Sequence, residues 1–460
     1  MSLFYKSTRD DSVKVTASQA ILKGLAPDGG LFVPESIPSF DKSLEELSKM
    51  SYKEVAYEVM KLMLDDFTEE ELKACIDKAY DEKFDTDVIA PLVKADGAYY
   101  LELFHGATIA FKDMALQILP YLLTTSAKKT IDGKKISILV ATSGDTGKAA
   151  LEGFKDVDGT SIMVFYPEDG VSNMQKRQMT TQEGSNVNVC AVVGNFDDCQ
   201  SGVKQIFTDK SVIAQLEKAN TVFSSANSIN WGRLAPQIIY YVSSYVQLVK
   251  DGELKYGEKL NVVVPTGNFG NILASYYASL MGLPINKFVC ASNSNNVLTD
   301  FIKTGVYDKN RSFYTTISPS MDILVSSNLE RLLYKLSGDN DEVTRGWMNT
   351  LKSEGKYEVS DDVKAVINEK FYGGFCDDKN TEATIHEMFE QDKYLCDTHT
   401  AVAINVYKQY VEETGDKTPS VIASTASPYK FSKAVLEAVE PNATLPETEF
   451  DMVDELHKVS

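Results

Sequence analysis

The chain has 460 residues, more than the roughly 250–300 at which a single hydrophobic core stops growing, so two or three domains are expected. Its 43% hydrophobic and 24% charged residues are ordinary for a globular protein, and no apolar run approaches the roughly 20 residues that span a bilayer. Sixty-six acidic against 46 basic side chains give a net charge of −20, which repels nucleic acid and anionic membranes; an anionic ligand must then be held by local donors. The N-terminal MSLFYKSTRDDSVKV lacks the apolar stretch of a signal peptide. Six scattered cysteines (Cys75, Cys190, Cys199, Cys290, Cys376, Cys396) form no CxxC pair, and there are only four histidines. A reducing cytoplasm is expected, with no disulfide framework and no metal site.

In chain order, the first segment that carries chemistry is LFHGATIAFKDMALQ, from Leu103. Lys112 sits among Ala110, Phe111, Met114 and Ala115. A desolvated lysine has a lowered pKa and acts as a nucleophilic amine or base, whereas a lysine at a helix start also snorkels to solvent. ISILVA, from Ile136, predicts a strand, followed by the loop ATSGDTGK and the helix KAALEGF. That loop is not a P-loop, because only Asp145 and Thr146 separate Gly144 from Gly147 and Ala149 follows Lys148. Two readings remain: a hydroxyl-rich cradle for a carboxylate or phosphate, or a helix start capped by Thr142 or Ser143.

SIMVFY, from Ser161, and NVNVCAVV, from Asn186, predict two more strand-to-helix units. NSINWGRLAPQ, from Asn227, gathers two amides, a hydroxyl and Arg233 before a long helix; Arg233 suits a bidentate phosphate contact, although surface loops share this composition. LNVVVP, from Leu260, leads through TGNFGN to ILASYYASLM. Gly267 and Gly270 admit close backbone approach of an anion at a helix N-terminus. The spacing is not the dinucleotide fingerprint, and an ordinary turn has the same pattern. From about 308 to 394 the rhythm gives way to charged, helical patterning, read as an accessory insertion. PSVIAS, from Pro419, restores it, through TASP to YKFSKAVLEAV. Strands apolar on both faces and followed by helices predict a parallel α/β architecture with ligands beyond the carboxyl ends of the strands.

Together and in this order, FHGATIAFKD, ATSGDTG, NSINWGR and PTGNFGN resemble the motifs of the threonine synthases, fold-type II pyridoxal-phosphate enzymes. GLAPDGGLFVPESIP, from Gly24, is similar to that family's opening, and CDTHTAVA, from Cys396, and ASTASPYKF, from Ala423, to its C-terminal motifs, so the resemblance spans almost the whole chain. It implies two open parallel-sheet α/β domains with the active site between them. An N-terminal region would cover 1–90, a large cofactor-binding domain 91–115 and 232–460 with the insertion at about 308–394, and a smaller domain 116–231. Pyridoxal 5'-phosphate would be carried on Lys112, with its phosphate in the loop Gly267, Asn268, Phe269, Gly270, Asn271. Thr425 would face the pyridine nitrogen, with Ser424 as the alternative. Thr142, Ser143 and Gly144 would receive the substrate carboxylate and Asp145 would lie near the ring oxygen. Asn227, Ser228 and Arg233, with Thr146, would hold the substrate phosphate.

The implied reaction, the last step of threonine biosynthesis, turns O-phospho-L-homoserine and water into L-threonine and phosphate, with Lys112 taking the Cα proton. A phospho-lyase of the same fold giving 2-oxobutyrate, and a catalytically silent ligand-binding relative, share these motifs. A cytoplasmic monomer or homodimer acting on a small molecule, without nucleic acid or membrane, completes the expectation. Two positions depart from the family pattern: Asn271 stands where longer members often have Asp, and Ser427 where they commonly carry His.

Overall fold

Strands that are apolar on both faces need helices on both sides, and two such sheets organise the chain. The computed structural model describes residues 2–142, 144–169 and 171–460; Ser143, expected at the substrate carboxylate, lies outside the described residues. The first sheet has six strands in the order Phe371–Phe375, Ile285–Ser292, Leu260–Pro265, Ser420–Ser424, Ala98–Glu102, Leu92–Ala95, all parallel except the last pair. Leu260–Pro265 coincides with the apolar run LNVVVP, and every one of its residues is buried. Val262 and Val264 face one core, shared with the N-terminal helices and the second sheet, while Val263 faces the other.

The second sheet has four parallel strands in the order Val187–Val192, Thr160–Pro167, Lys135–Ala141, Thr221–Ser224. All five strand–turn–helix units read from the sequence are present, within a residue or two for the strands. The stretch from 308 to 394 is helical over Leu329–Leu336, Asp341–Glu354, Asp361–Lys370 and Asp378–Asp392, and it also supplies the edge strand Phe371–Phe375. Before the first sheet, Tyr5–Ser7 pairs antiparallel with both Asp10–Val15 and Phe32–Pro34. The amphipathic helices Tyr52–Met63 and Glu69–Ala79 follow, each opened by a capping box, Ser51 with Glu54 and Thr68 with Glu71.

A helix that is apolar nearly all round belongs inside. Trp231–Lys250 is that helix, packed against Tyr52–Met63, Asp113–Leu116 and Gly270–Leu280. Its N-terminal turn carries Arg233 inward. The carboxyl ends of Lys135–Ala141, Leu260–Pro265 and Ser420–Ser424 open into ATSGDTGK, TGNFGN and TASP, the loops that carry the chemistry. Among the described residues no helix is long and apolar enough to cross a membrane.

Candidate active site

Lys112 sits at the start of the short helix Asp113–Leu116. The turn before it holds Ile109 at φ 53°, a left-handed conformation that costs a β-branched residue about 1–3 kcal/mol. Three backbone bonds fix that turn: Ile109 N–H to Gly106 O (2.9 Å), Ser427 N–H to Ile109 O (3.0 Å) and Phe111 N–H to Thr425 O (2.8 Å). The Lys112 side chain is thereby left only 12% exposed, its amine donating to Ser320 Oγ at 3.2 Å and standing 3.6 Å from Asp145 Oδ2. Burial pushes its pKa below the ordinary lysine value; Asp145 opposes the shift, and the Lys430 and Arg233 cations add to it.

Asp145 is the first residue of the helix Asp145–Phe154, where the helix dipole favours a negative charge. Burial alone would raise its pKa, but Lys430 and Lys112 hold the carboxyl well below the usual carboxylate range. Lys430 Nζ lies 3.1 Å from Asp145 Oδ1 and donates to Thr108 O at 2.9 Å. Gln175 Nε2 (3.1 Å) and Ser320 Oγ (3.2 Å) also donate to the carboxylate. The N-cap of the helix Asp145–Phe154 is Gly144, without a side-chain cap, and Thr142 supports the turn from two residues before it. Its Oγ1 accepts from Gly144 N–H (3.0 Å) and Gly147 N–H (2.9 Å) and donates to Gly144 O (3.1 Å), so the hydroxyl is spent within the loop.

The loop Gly267–Asn271 is clamped from above by the segment that precedes Leu329–Leu336. Ser326 Oγ donates to Gly267 O (2.7 Å), and Asn328 donates to Asn268 O through its backbone (3.1 Å) and its side chain (3.0 Å). A Cβ on Gly267 would lie 2.8 Å from Ser320 O, so only glycine fits there. Phe269, at φ 63°, is a second strained residue and caps the helix Gly270–Leu280. Asn328 also reaches Ser228 O (3.3 Å), and the buried Arg331 joins Asn328 Oδ1 (2.5 Å), Ile229 O (2.6 Å) and Phe32 O (3.0 Å). The loops TGNFGN and NSINWGR are thus stapled together by residues outside both.

In the first turns of the helices that follow these loops, three buried donors have no acceptor among the described residues: Trp231 Nε1, Arg233 Nε and Asn271 Nδ2. Tyr241 OH bonds to Asn271 Oδ1, and Arg233 Nη1 donates to Ala226 O (2.6 Å). Burial pushes Arg233 down to about 10, which leaves it a cation at neutral pH. Unpaired buried donors are costly, and an anion suits the Asn271 amide and the Arg233 guanidinium; the residues present fit a phosphorylated cofactor. Asn227 and Ser228, on the loop after Thr221–Ser224, and Thr146, in the first turn of Asp145–Phe154, are half-buried.

Thr425 is buried, its N–H donating to Thr400 Oγ1 (3.3 Å) and its carbonyl holding Phe111. The Ser424 hydroxyl is instead committed to Tyr394 OH and Thr400 Oγ1, each at 3.2 Å. Ser427 contributes backbone only, to Ile109, before the turn Pro428–Phe431. Ser320, Asn328, Arg331, His399 and Lys430 were not singled out from the sequence. His399 and Lys430 lie within CDTHTAVA and ASTASPYKF; the other three lie in the insertion, where nothing local marks them.

Fold and site together define a pyridoxal-phosphate-dependent enzyme class: the family model described as "Pyridoxal-phosphate dependent enzyme" matches 88–425. Models described as "Threonine synthase N terminus" and "Threonine synthase, C-terminal" match 4–80 and 400–459. Threonine synthase of Saccharomyces cerevisiae is 37% identical, over 100% of this chain and 93% of the yeast protein. The crystal structure of PLP-bound threonine synthase from Brucella melitensis superposes with a TM-score of 0.89 at 37% identity, covering 98% of this chain and 95% of that one. The chain belongs to the threonine synthase family. Human threonine synthase-like 1 is 40% identical over 94% of this chain, which spans 59% of the length of that relative.

Proposed function

We propose that this chain is a threonine synthase that uses pyridoxal phosphate to convert O-phospho-L-homoserine and water into L-threonine and phosphate. The observation that carries the reading is a buried Lys112 beside Asp145, with two anion-seeking donors, Asn271 Nδ2 and Arg233 Nε, in the adjoining loops. Lys112 carries the cofactor, the loop Gly267, Asn268, Phe269, Gly270, Asn271 holds its phosphate, Thr425 faces the ring nitrogen and Asp145 lies near the ring oxygen. Thr425 is favoured over Ser424 because the Ser424 hydroxyl is already bonded twice. Pyridoxal phosphate, when bound, supplies an electron sink that stabilises negative charge at the substrate Cα.

Lys112, released by the incoming substrate amine, takes the Cα proton and delivers protons on the same face; its lowered pKa keeps the amine available as a base. Arg233, with Asn227, Ser228 and Thr146, binds the phosphate that leaves. The start of the helix at Asp145, with Gly144, receives the substrate carboxylate, and Thr142 acts by holding that turn. The same reading divides the chain into an N-terminal region (1–90), a cofactor-binding domain (91–115 and 232–460) and a smaller domain (116–231), supported by the two sheets falling in the latter two. It is a cytoplasmic monomer or homodimer working on a small molecule; the net charge of −20 supports exclusion of nucleic acid.

Incubation with O-phospho-L-homoserine followed by product analysis tests the proposal. L-Threonine and phosphate in equal amounts are expected. 2-Oxobutyrate and ammonia would make the chain a phospho-lyase, and absence of a borohydride-trappable cofactor on Lys112 would overturn the site.

A further inference from the structure

Ser320 lies 208 residues from Lys112 in sequence and touches three parts of the site at once. Its Oγ accepts from Lys112 Nζ (3.2 Å) and donates to Asp145 Oδ2 (3.2 Å), and its carbonyl lies against Gly267. The turn that carries it, Pro319–Met321, is only three residues long and cannot fix its own orientation. Its N–H donates to His399 Nε2 at 3.1 Å, and His399 Nδ1 stands 2.7 Å from Asp397 Oδ2. Asp397 is fully buried, and it caps the helix Thr398–Thr414 through the His399 and Thr400 N–H groups (2.9 and 3.1 Å).

A backbone N–H can only donate, so Nε2 must present its lone pair; the ring proton is then on Nδ1, directed at Asp397. The His399 ring rests on Phe431, with centroids 4.7 Å apart. One tautomer and one orientation follow. The imidazole is a fixed acceptor for the backbone of a residue that faces the reacting lysine. We propose that Ser320 is a positioning residue that holds the Lys112 amine apart from Asp145, and that the Asp397–His399 pair acts through it.

The proposal rests on Lys112 being the cofactor lysine. With the hydroxyl in place, the amine and the carboxylate are 3.6 Å apart and share Ser320 Oγ between them. Without it the existing 3.6 Å ion pair with Asp145 closes to direct contact, and an amine held protonated there is neither nucleophile nor base. The hydrogen bonds of this hydroxyl go to Lys112 and Asp145 and not to the loop Gly267–Asn271.

The experiment uses the cofactor-loaded enzyme and three variants: Ser320→Ala, His399→Leu, which keeps bulk without an acceptor, and His399→Gln, which restores an oxygen acceptor. Ser320→Ala and His399→Leu are expected to lower kcat about fivefold to tenfold, the ratio set by one hydrogen bond of ordinary strength, with little change in KM. The same two variants, stripped of cofactor and remixed with pyridoxal phosphate, regain visible absorbance more slowly by a similar factor but reach the same final occupancy. His399→Gln recovers most of both properties. Wild-type behaviour of Ser320→Ala in both assays overturns the proposal, as does a His399→Gln variant no better than His399→Leu, which would mean packing alone. Should His399→Leu not fold, Ser320→Ala and His399→Gln still decide. If wild type itself carries no cofactor on Lys112, the reading of the site fails first and the role given to Ser320 falls with it.

Discussion

In the six-stranded sheet, Leu260–Pro265 and Ser420–Ser424 bury every residue; in the four-stranded sheet, the edge strand Val187–Val192 buries none fully, and the helix Lys210–Lys218 after it buries none either. The groups whose positions must be fixed most tightly, Lys112, Thr425 and the Gly267 loop, are tied to the first sheet. The second sheet enters the site mainly through an interior strand, Lys135–Ala141, and the carboxylate that follows it, Asp145, with Gln175 after Thr160–Pro167 and the Asn227–Arg233 segment after Thr221–Ser224 beside it. Rigidity is concentrated where the lysine is held, and local opening is left to the outer edge of the smaller sheet, where few apolar contacts oppose it.

The sharpest way to break that comparison is to cut the charged tie between the sheets. Lys430 follows Ser420–Ser424, and its fully buried amine meets Asp145 at 3.1 Å. Lys430→Met leaves Asp145 with half its compensation, and removing one partner of a buried pair costs about 3–5 kcal/mol. Urea unfolding followed by circular dichroism should report a loss of that size. Because its partners hold the folded carboxyl below its unfolded value, the contribution is whole above about pH 4 and fades as pH falls further. The variant should therefore lose this part of the acid sensitivity, and a penalty below about 1 kcal/mol, the level of an exposed pair, would mean that the tie is solvated.

Next in size is Arg233→Ala. Losing a buried charged contact to a phosphate costs about 1.5–3 kcal/mol, roughly a tenfold to hundredfold loss in affinity for O-phospho-L-homoserine, with pyridoxal phosphate retained. Loss of the cofactor with substrate affinity unchanged would exchange the two anion sites. Gly267→Ala tests the rigid side directly, since its Cβ would meet the Ser320 carbonyl at 2.8 Å, a backbone atom that cannot swing away. Overpacking of this kind costs about 1–3 kcal/mol, and cofactor affinity measured by titration should fall. An unchanged affinity would mean that the clamp over the phosphate loop yields.

The strands legible in the sequence are short β-branched runs that end in polar turns, whether buried throughout, as Leu260–Pro265, or half-exposed, as Val187–Val192. LNVVVP was read to the residue because three valines run straight into Pro265 and the TGNFGN turn; its one polar residue, Asn261, is buried with them. Phe371–Phe375 was not, because FYGGF carries two glycines inside a charged stretch; Gly374 packs so closely under Val406 that a Cβ would lie 2.7 Å from it. In the site, Lys112 and the glycine loops were singled out by the family resemblance of several motifs in one order, since each segment alone also fits a helix-start lysine or an ordinary turn. Ser320, Asn328 and Arg331 were not, because their partners are Lys112, Asn268, Ser228, Ile229 and Phe32, distant in sequence. His399 left a partial local sign: Asp397 two residues before it, at the start of a helix.

The smallest effect tests the loose side. Gly202 lies in the helix Phe196–Thr208, and a Cβ added there would meet nothing within 4 Å. Its φ is not in the left-handed region. Glycine in a helix interior costs about 0.5–1 kcal/mol relative to alanine, because more backbone freedom is lost on folding. Gly202→Ala should therefore stabilise this helix by that amount without touching the site. In a chain with two sheets a global midpoint need not register so local a change. Amide hydrogen exchange read peptide by peptide does: protection over 196–208 should rise about twofold to fivefold, the equivalent of that energy, while Gly270–Leu280 stays unchanged. If the gain spreads to Asp145–Phe154 and turnover slows with it, opening of the outer edge is coupled to the position of Asp145, and the smaller sheet is a working part of the cycle. If protection over 196–208 in the wild-type chain already equals that of Gly270–Leu280, the two sheets are equally firm, and the division of labour between them fails.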